Sequence, residues 1–302
     1  MAQGINCETT EINTLIKKAE PLPDSLLSEP GFGFALLVGI DHYNSSNLIL
    51  NDLQAPVREI YTLKKILTDN NYVVKILINA QATRQNIEYW LLCLGEKAHV
   101  SDRILFYFAG HGGNFCDLAS SMDFSTREKY KEKVGQCSGV NNIKDKEKDE
   151  LVLCLYQPDY SNALKEVAFI DELTKWIAES DAHQQIVWID ACYSGNMNKI
   201  FRLPLNFYSY RLLNDGFFAL TGIKDKVHDG QYGNFMLQGL CGAADDTLAG
   251  NSDGRISLYE LSVYTDNLLR KTIVDSSGII YKSRYILVGS GEIFLTRCRK
   301  EE

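Results

Sequence analysis

The sequence predicts a three-layer α/β/α sandwich with a mainly parallel central sheet of about six strands. Several apolar runs are continuous rather than alternating, which is typical of strands covered on both faces. These runs alternate with segments of helical periodicity, and such alternation implies parallel strands joined by right-handed crossovers. The chain has 302 residues, 45% of them hydrophobic, which is enough for one large core.

The order of the elements follows from these patterns. The predicted strands are Phe34–Ile40, Tyr72–Ile78, Ile104–Phe108, Leu151–Tyr156, Ile186–Ile189 and a sixth that begins over Phe217–Leu220. The predicted helices are Ala55–Thr68, Arg84–Glu96, Ile170–Glu179, Asn234–Cys241 and Leu258–Arg270. The charged segment Ser125–Glu150 interrupts the alternation and is predicted to be a solvated loop. Residues 1–30 are polar and form a predicted N-terminal extension.

Charge and cysteine usage narrow the class of protein. A net charge of −8 argues against nucleic acid or an anionic membrane as the main partner. The first ten residues lack the pattern of a signal peptide, and no apolar stretch is long enough to span a bilayer. The eight cysteines occur singly and without metal-ligand spacing, which predicts free and mostly buried thiols in a reducing, cytoplasmic setting.

Two reactive side chains follow strand ends. The third predicted strand leads into His111 within the motif FYFAGHGG, and the fifth leads into Cys192 within WIDACYSG. Ligands of open parallel sheets bind at the carboxyl ends of the strands, and glycines there let a substrate backbone come close. A thiol needs a partner to become a nucleophile near neutral pH, and His111 is a candidate. The residues alone leave both a structural role and a Cys–His dyad open.

Both motifs resemble those of caspase-like cysteine peptidases, of the metacaspase and bacterial orthocaspase type. Three further segments resemble the family in the same order: Leu53–Leu67, 150–159 and Phe169–Leu173. Residues 33–200 match well, and 217–295 match more loosely through 253–257, Glu260, Leu261 and Tyr264. The resemblance implies a caspase-like peptidase domain over 31–302, with a large-subunit-like part at 31–200 and a small-subunit-like part at 217–302.

The resemblance also implies a mechanism and a form of control. Cys192 would attack the scissile carbonyl, His111 would protonate the leaving amine, and the backbone amides of Gly112 and Cys192 would bind the oxyanion. Self-cleavage is expected in Ser125–Glu150 or Asn196–Asp215. Compact relatives of this kind imply a role in bacterial cell death or antiphage defence. The activator and the oligomeric state are not predicted.

The substrate is expected to be a protein or peptide with Arg or Lys before the cut. Asp190 projects to the same side of its strand as Cys192, and a carboxylate matches a guanidinium. By resemblance, Asp190 lies in the pocket for that residue and Glu59 is a second acid there. The arginine with which animal caspases recognise aspartate would fall at Leu53. The alternatives are a strand-end cap for Asp190 and a helix-dipole acid for Glu59. Asp225 and Asp229 are weaker candidates.

Other interpretations remain open. One is a catalytically silent caspase-fold scaffold or ligand-gated regulator. Others are a separase-, CHAT- or gingipain-like peptidase and a flavodoxin-like binding domain. No cofactor is expected, although related enzymes leave calcium open; Asp245, Asp246 and Asp253 lack the spacing of an EF-hand loop. His42 is predicted to be a loop residue near the rim of the cleft.

Overall fold

The computed structural model describes twelve stretches of the chain. These are residues 13–14, 17, 31–43, 50–137, 150–156, 166–182, 184–191, 217–221, 231–246, 250–272, 284–288 and 294–297.

Strands and helices alternate through the first half of the chain. The strands are β1 Gly33–Gly39, β2 Tyr72–Ile78, β3 Arg103–Ala109, β4 Gly112–Asn114, β5 Leu151–Cys154, β6 Val167–Phe169, β7 Gln184–Asp190, β8 Phe217–Thr221, β9 Arg255–Ser257, β10 Arg284–Val288 and β11 Phe294–Arg297. The helices are α1 Pro56–Asp69, α2 Arg84–Lys97, α3 Phe115–Ala119, α4 Phe124–Lys129, α5 Lys131–Gln136, α6 Ile170–Ala178, α7 Gln231–Gln238, continued by a π-helical turn Gly239–Ala243, and α8 Leu258–Thr272.

The central sheet has the strand order β10-β8-β7-β3-β1-β2. Neighbouring strands from β8 to β2 run parallel, and β10 pairs antiparallel with β8. The predicted α/β architecture with a mainly parallel sheet is therefore confirmed.

Both faces of the sheet are covered along β1, β3 and β7, which explains the continuous apolar runs in these strands. All seven residues of β1 are buried. Leu36 and Val38 join the core cluster on the side of α2 and α6, whereas Ala35 and Leu37 join the one on the side of α1, α7 and α8. We call these sides the α2 face and the α1 face.

Local sequence signals set where the two long helices begin. α1 starts at Pro56, where a fixed φ and a missing N–H cost nothing. α2 is capped by Thr83, whose side chain accepts the Asn86 N–H. Each helix then returns the chain to a strand parallel to the one before it.

The predicted fourth strand forms but does not join the central sheet. β5 pairs antiparallel with β4 and with β6 in a separate three-stranded sheet. An apolar run indicates burial but not which sheet a strand joins. The segment between β4 and β5 contains only short described helices, α3 to α5, so it supplies no long crossover helix to return the chain parallel.

The prediction of a solvated loop over Ser125–Glu150 is wrong for its described part. This part folds into α4 and α5. Tyr130, between the two helices, packs against Phe115 and Phe169, and its ring centroid lies 6.1 and 5.5 Å from theirs. Lys133 forms ion pairs with Glu150 and Asp171. The helices depend on these tertiary contacts, which a local pattern does not reveal.

The expectation that all cysteines are free thiols is also wrong. Cys116, in α3, and Cys137, just after α5, form a disulfide with a Cα–Cα distance of 5.3 Å. Cys93 is disulfide-bonded as well. Cys154 is a buried free thiol, as its apolar surroundings predict, and Cys241 is an exposed one.

No helix within the described ranges combines the length and the apolar character needed to cross a bilayer.

Candidate active site

The carboxyl ends of three neighbouring strands meet at one edge of the central sheet. Ala109, the last residue of β3, pairs with Gly39 of β1 on one side and with Asp190 of β7 on the other. The Gly110 N–H extends this pairing by donating to the Asp190 carbonyl at 3.2 Å. We call this the carboxyl edge, and the segments of His111 and Cys192 both start from it.

His111 is held through its backbone and through its ring. Its N–H donates to the Tyr43 hydroxyl at 2.6 Å, and the two ring centroids lie 4.7 Å apart. Its Nε2 lies 2.7 Å from the Asn51 carbonyl oxygen. Because a carbonyl only accepts, Nε2 carries the proton.

Gly110 leaves room for the Tyr43 hydroxyl to reach the His111 N–H. A Cβ at this position would lie 2.4 Å from the Tyr43 hydroxyl oxygen, so a larger residue would push the Tyr43 hydroxyl away from the His111 N–H.

Sequence reasoning did not identify Tyr43 or Asn51. The contact from Asn51 is made by a backbone carbonyl, which every residue type carries, so no side-chain pattern could reveal it. Tyr43 is fully buried, and its sequence position identifies a core aromatic but not the use of its hydroxyl.

Asp52 and His42 form a polar cluster beside Tyr43. Asp52 accepts the Tyr43 N–H at 3.1 Å and lies 3.0 Å from Nδ1 of His42. The hydrogen bond from His42, and then that from Tyr43, lower the pKa of the Asp52 carboxyl. His42 is 67% exposed and lies in the loop after β1, as predicted for a residue at the rim.

Gly112 begins the small sheet with its N–H turned outward. Its strand partner is Leu153, and the Cys154 N–H donates to the His111 carbonyl at 2.9 Å. This bond makes Gly112 and Leu153 a non-hydrogen-bonded pair, in which each residue's own N–H points away from the partner strand. The Gly112 amide is therefore directed away from β5.

Asp190 and Glu59 both lie near Tyr107 on the α1 face, and Asp190 also lies near Tyr232. Burial, followed by the negative charges of Glu59 and Asp190, raises the pKa of the Tyr107 hydroxyl. Burial also raises the pKa of Tyr232, and Asp190 adds to that rise. Tyr107 donates to Glu59 Oε2 at 3.4 Å, and Trp188 donates to the Tyr232 hydroxyl at 2.9 Å. The structure thus brings the two predicted pocket acids into one neighbourhood.

The two acids differ in accessibility. Asp190, at the end of β7, is partly exposed, whereas Glu59 is only 3% exposed. A Cβ on Gly233 of α7 would lie 2.2 Å from the Glu59 carboxyl carbon, so α7 covers this carboxylate directly. Glu59 can contribute negative potential from below, but a substrate could contact it only if α7 moved.

Several predicted residues lie outside the described part of the chain. Cys192, whose amide is one of the two predicted for the oxyanion hole, is one; Asp225 and Asp229 are others. β7 ends at Asp190, and the next residue, Ala191, is 4% exposed. The second proposed self-cleavage segment, Asn196–Asp215, is also outside it.

Two of the acids considered for calcium, Asp245 and Asp253, stabilise a turn. Asp245 accepts the Asp253 N–H at 3.1 Å and the Gly254 N–H at 2.8 Å, and Asp253 accepts the Arg255 N–H at 2.8 Å. Within the described ranges, no three His, Cys, Asp or Glu side chains are grouped so that they could hold a metal ion.

Comparisons with known proteins assign the family. The family model of the caspase domain, peptidase C14, matches residues 32–203, which is more than half of the chain. A solved structure, protein GSU0716 from Geobacter sulfurreducens, is similar in fold, with a TM-score of 0.54 at 15% identity, covering 88% of this chain and 97% of its own. A comparison with curated protein sequences finds no match. The chain belongs to the caspase-domain family of cysteine peptidases.

Proposed function

We propose that this protein is a cysteine endopeptidase that cleaves protein substrates after Arg or Lys, with His111 and Cys192 as its catalytic dyad. The alternative is a catalytically silent caspase-fold scaffold or ligand-gated regulator, which would cleave no peptide in the same assays.

The observation that carries the proposal is the pairing of Ala109 with Asp190. His111 follows Ala109 by two residues, and Cys192 follows Asp190 by two. Two residues of chain reach at most about 7 Å, and adjacent strands lie about 4.8 Å apart. Chain connectivity therefore keeps the Cα atoms of His111 and Cys192 within about 19 Å of each other, and this range includes the separation that a dyad requires.

The fixed ring of His111 supports a direction for proton transfer. With Nε2–H bonded to the Asn51 carbonyl, Nδ1 is the nitrogen that exchanges a proton with Cys192. Cys192 Sγ bonds to the scissile carbonyl carbon, the peptide C–N bond breaks, and His111 gives its proton to the leaving amine. Water then cleaves the thioester, which releases the new carboxylate and restores the thiol.

The outward amide of Gly112 supports its role in the oxyanion hole. An N–H directed away from β5 is available to the oxygen that becomes negative during attack. Removing one such donor costs on the order of 10²–10³ in rate in other enzymes. The Cys192 amide is the proposed second donor.

Two observations support a basic residue before the cut. Asp190 and Glu59 place two carboxylates near Tyr107, and a carboxylate pairs with a guanidinium through two hydrogen bonds. Leu53 packs against the hydrophobic core and provides no cation for an acidic substrate. Asp190 is the proposed direct ligand, and Glu59 stays the proposed second acid.

Fluorogenic tetrapeptides that differ only in their last residue test the proposal. Wild type should cleave the Arg and Lys peptides and leave the Asp peptide intact. Cys192→Ala and His111→Ala should each lose at least about 10³ of the rate, while Cys241→Ala, which removes an exposed free thiol, should behave as wild type. Turnover of the Asp peptide would reject the specificity. Failure of an Arg-ended chloromethyl ketone to label Cys192 would favour the silent scaffold.

The structure narrows the proposed sites of self-cleavage. Peptidases bind extended chain, whereas Phe124–Gln136 is helical and is held by Lys133 and the disulfide. We therefore expect cleavage after Lys or Arg within 138–149 or 196–215. Mass spectrometry of the incubated wild type should find new termini there and none with Cys192→Ala. An intact and fully active chain would reject self-cleavage. The proposed role in bacterial cell death or antiphage defence rests on family resemblance.

A further inference from the structure

The support of His111 comes from two segments that are separated in sequence. Tyr43 belongs to the loop after β1, and Asn51 belongs to the segment that leads into α1. The first holds the His111 backbone through a hydroxyl at 2.6 Å, and the second holds the ring through a carbonyl at 2.7 Å. If these segments shift relative to each other, His111 cannot keep both its backbone bond to Tyr43 and its ring bond to Asn51.

Asp52 joins the two segments directly. Its Oδ1 accepts the Tyr43 N–H at 3.1 Å, and its Oδ2 lies 3.0 Å from His42 Nδ1. One residue further on, the Leu53 N–H donates to the Asp41 carbonyl at 2.8 Å. The side chain of Asp52 and the backbone beside it thus bind three consecutive residues of the loop after β1.

The Asn51 carbonyl, which accepts the hydrogen bond from His111 Nε2, belongs to the same peptide unit as the Asp52 nitrogen. Peptide units are planar, so the orientation of the Asn51 carbonyl depends on how Asp52 is anchored. We propose that Asp52 is a positioning residue for the Cys–His reaction, which fixes the Asn51 carbonyl and thereby the orientation of the His111 ring. This inference rests on the proposed peptidase function.

The chemistry of the side chain fits this role. A carboxylate accepts from two directions at once, and the Tyr43 N–H and the His42 ring use both oxygens. The titratable side chains that act on Asp52 are His42 and His111. Asp52 is 63% exposed, so its removal leaves no cavity, although Asp52→Ala takes one acceptor from the Tyr43 N–H. The effect on catalysis should exceed the effect on overall folding.

Two substitutions of Asp52 test whether its acceptor oxygen for the Tyr43 N–H is what matters. Asp52→Asn keeps an oxygen for the Tyr43 N–H, whereas Asp52→Ala removes both acceptors. We expect Asp52→Ala to lower kcat for an Arg-ended peptide about 10–100-fold, since small misplacements of catalytic groups have effects of this size. Asp52→Asn should recover to within about 3-fold of wild type, and KM should stay within about 2-fold in both.

A matched control is Asp69→Ala, which removes another exposed carboxylate, bonded to Lys65 on α1 at 3.0 Å. It should leave kcat and KM unchanged, and melting temperatures should agree among all variants within a few degrees. The inference is overturned if Asp52→Ala keeps the wild-type kcat, if it changes KM alone, or if Asp52→Asn is as slow as Asp52→Ala. A wild type that cleaves no peptide would instead overturn the proposed function.

Discussion

A histidine can exchange protons with a thiol efficiently only if its ring is held in one orientation, because a freely rotating ring spends most of its time misaligned. In this protein a backbone carbonyl is bonded to the ring. It belongs to Asn51 and lies 2.7 Å from Nε2. A neutral carbonyl fixes the tautomer and stabilises an imidazolium without adding a charge of its own beside the nucleophile.

The Tyr43 hydroxyl gives the first prediction at this scale. Tyr43→Phe removes the acceptor of the His111 N–H and leaves this partly buried amide unsatisfied. We expect the free energy of unfolding to fall by about 1–3 kcal/mol and kcat to fall about 10-fold, since the His111 backbone loses one anchor. Urea denaturation and steady-state kinetics measure both.

The control for this change is Tyr61→Phe. Tyr61 is 51% exposed on α1, so loss of its hydroxyl should alter neither quantity. If Tyr43→Phe matches Tyr61→Phe in kcat, the hydroxyl does not help to position His111.

Sequence reasoning could reach His111, Cys192 and Asp190 as candidates because each is a reactive side chain at a predicted strand end. It could not reach Asn51, Tyr43 or Asp52. Asn51 and Tyr43 bond to His111, which is far from them in sequence. Asp52 bonds across the loop that contains both, and all three residue types are common in loops. The same limit applies to Glu59: helical periodicity placed it on α1, but only the packing of α7 shows that its carboxylate is covered.

At the scale of elements, a disulfide and ion pairs connect α4 and α5 to neighbouring segments, among them α3, which follows His111. β4 begins with Gly112, α3 follows it, and the disulfide from Cys116 reaches Cys137 at the end of α5. Lys133 adds ion pairs to Glu150 and Asp171. The apolar runs of β1, β2, β3 and β7 were sufficient to predict the central sheet, but α4 and α5 are polar helices that these long-range contacts hold in place.

The disulfide should contribute measurably to stability. It closes a loop of 21 residues, and for loops of this length the loss of denatured-state entropy corresponds to about 3 kcal/mol. Replacing Cys116 and Cys137 together by serine should lower the free energy of unfolding by about 2–4 kcal/mol in non-reducing buffer. It should also speed tryptic cleavage after Lys129 and Lys133.

The matched variant for the disulfide is Cys241→Ser, which removes an exposed free thiol and should change neither quantity. Equal denaturation midpoints and digestion rates for the double variant and wild type would show that the ion pairs and aromatic contacts hold α5 without the disulfide.

Glu150, which is paired with Lys133 of α5, makes the free energy of unfolding depend on pH. Burial, together with a hydrogen bond to Asp171, raises the pKa of Glu150 from 4.5 to about 7, against the opposing effect of Lys133. Because the folded pKa is the higher one, the folded state binds more protons than the unfolded state between these values. The contribution of Glu150 to stability is therefore full below about pH 4.5 and is lost as the pH rises toward 7.

Glu150→Gln should remove this part of the pH dependence. At pH 8 the variant should be more stable than wild type, with a free energy of unfolding higher by on the order of 1–2 kcal/mol. At pH 4.5 the two free energies should be similar. Urea titrations at half-unit pH steps test this, with exposed Glu128→Gln as the control. A wild type whose pH profile parallels that of Glu150→Gln would contradict the prediction.

For the molecule as a whole, the acidic balance and the proposed specificity point in the same direction. The net charge is −8, and Asp190 and Glu59 add negative potential at the carboxyl edge. A field of this sign attracts cationic peptides and repels anionic ones, and dissolved salt screens it over about 8–10 Å. Parts of a substrate that never touch the pocket should therefore affect the rate.

Two peptides with the same Arg before the cut separate this long-range effect from pocket binding. One carries three lysines remote from the cut, and the other carries three glutamates at the same positions. Between about 20 and 500 mM salt, kcat/KM for the lysine peptide should fall several-fold, whereas that for the glutamate peptide should rise or stay level. The glutamate peptide is also the control for any general inhibition by salt, because inhibition would lower both rates alike. Parallel salt curves would mean that the pocket alone selects the substrate and that the acidic surface has no part in its capture.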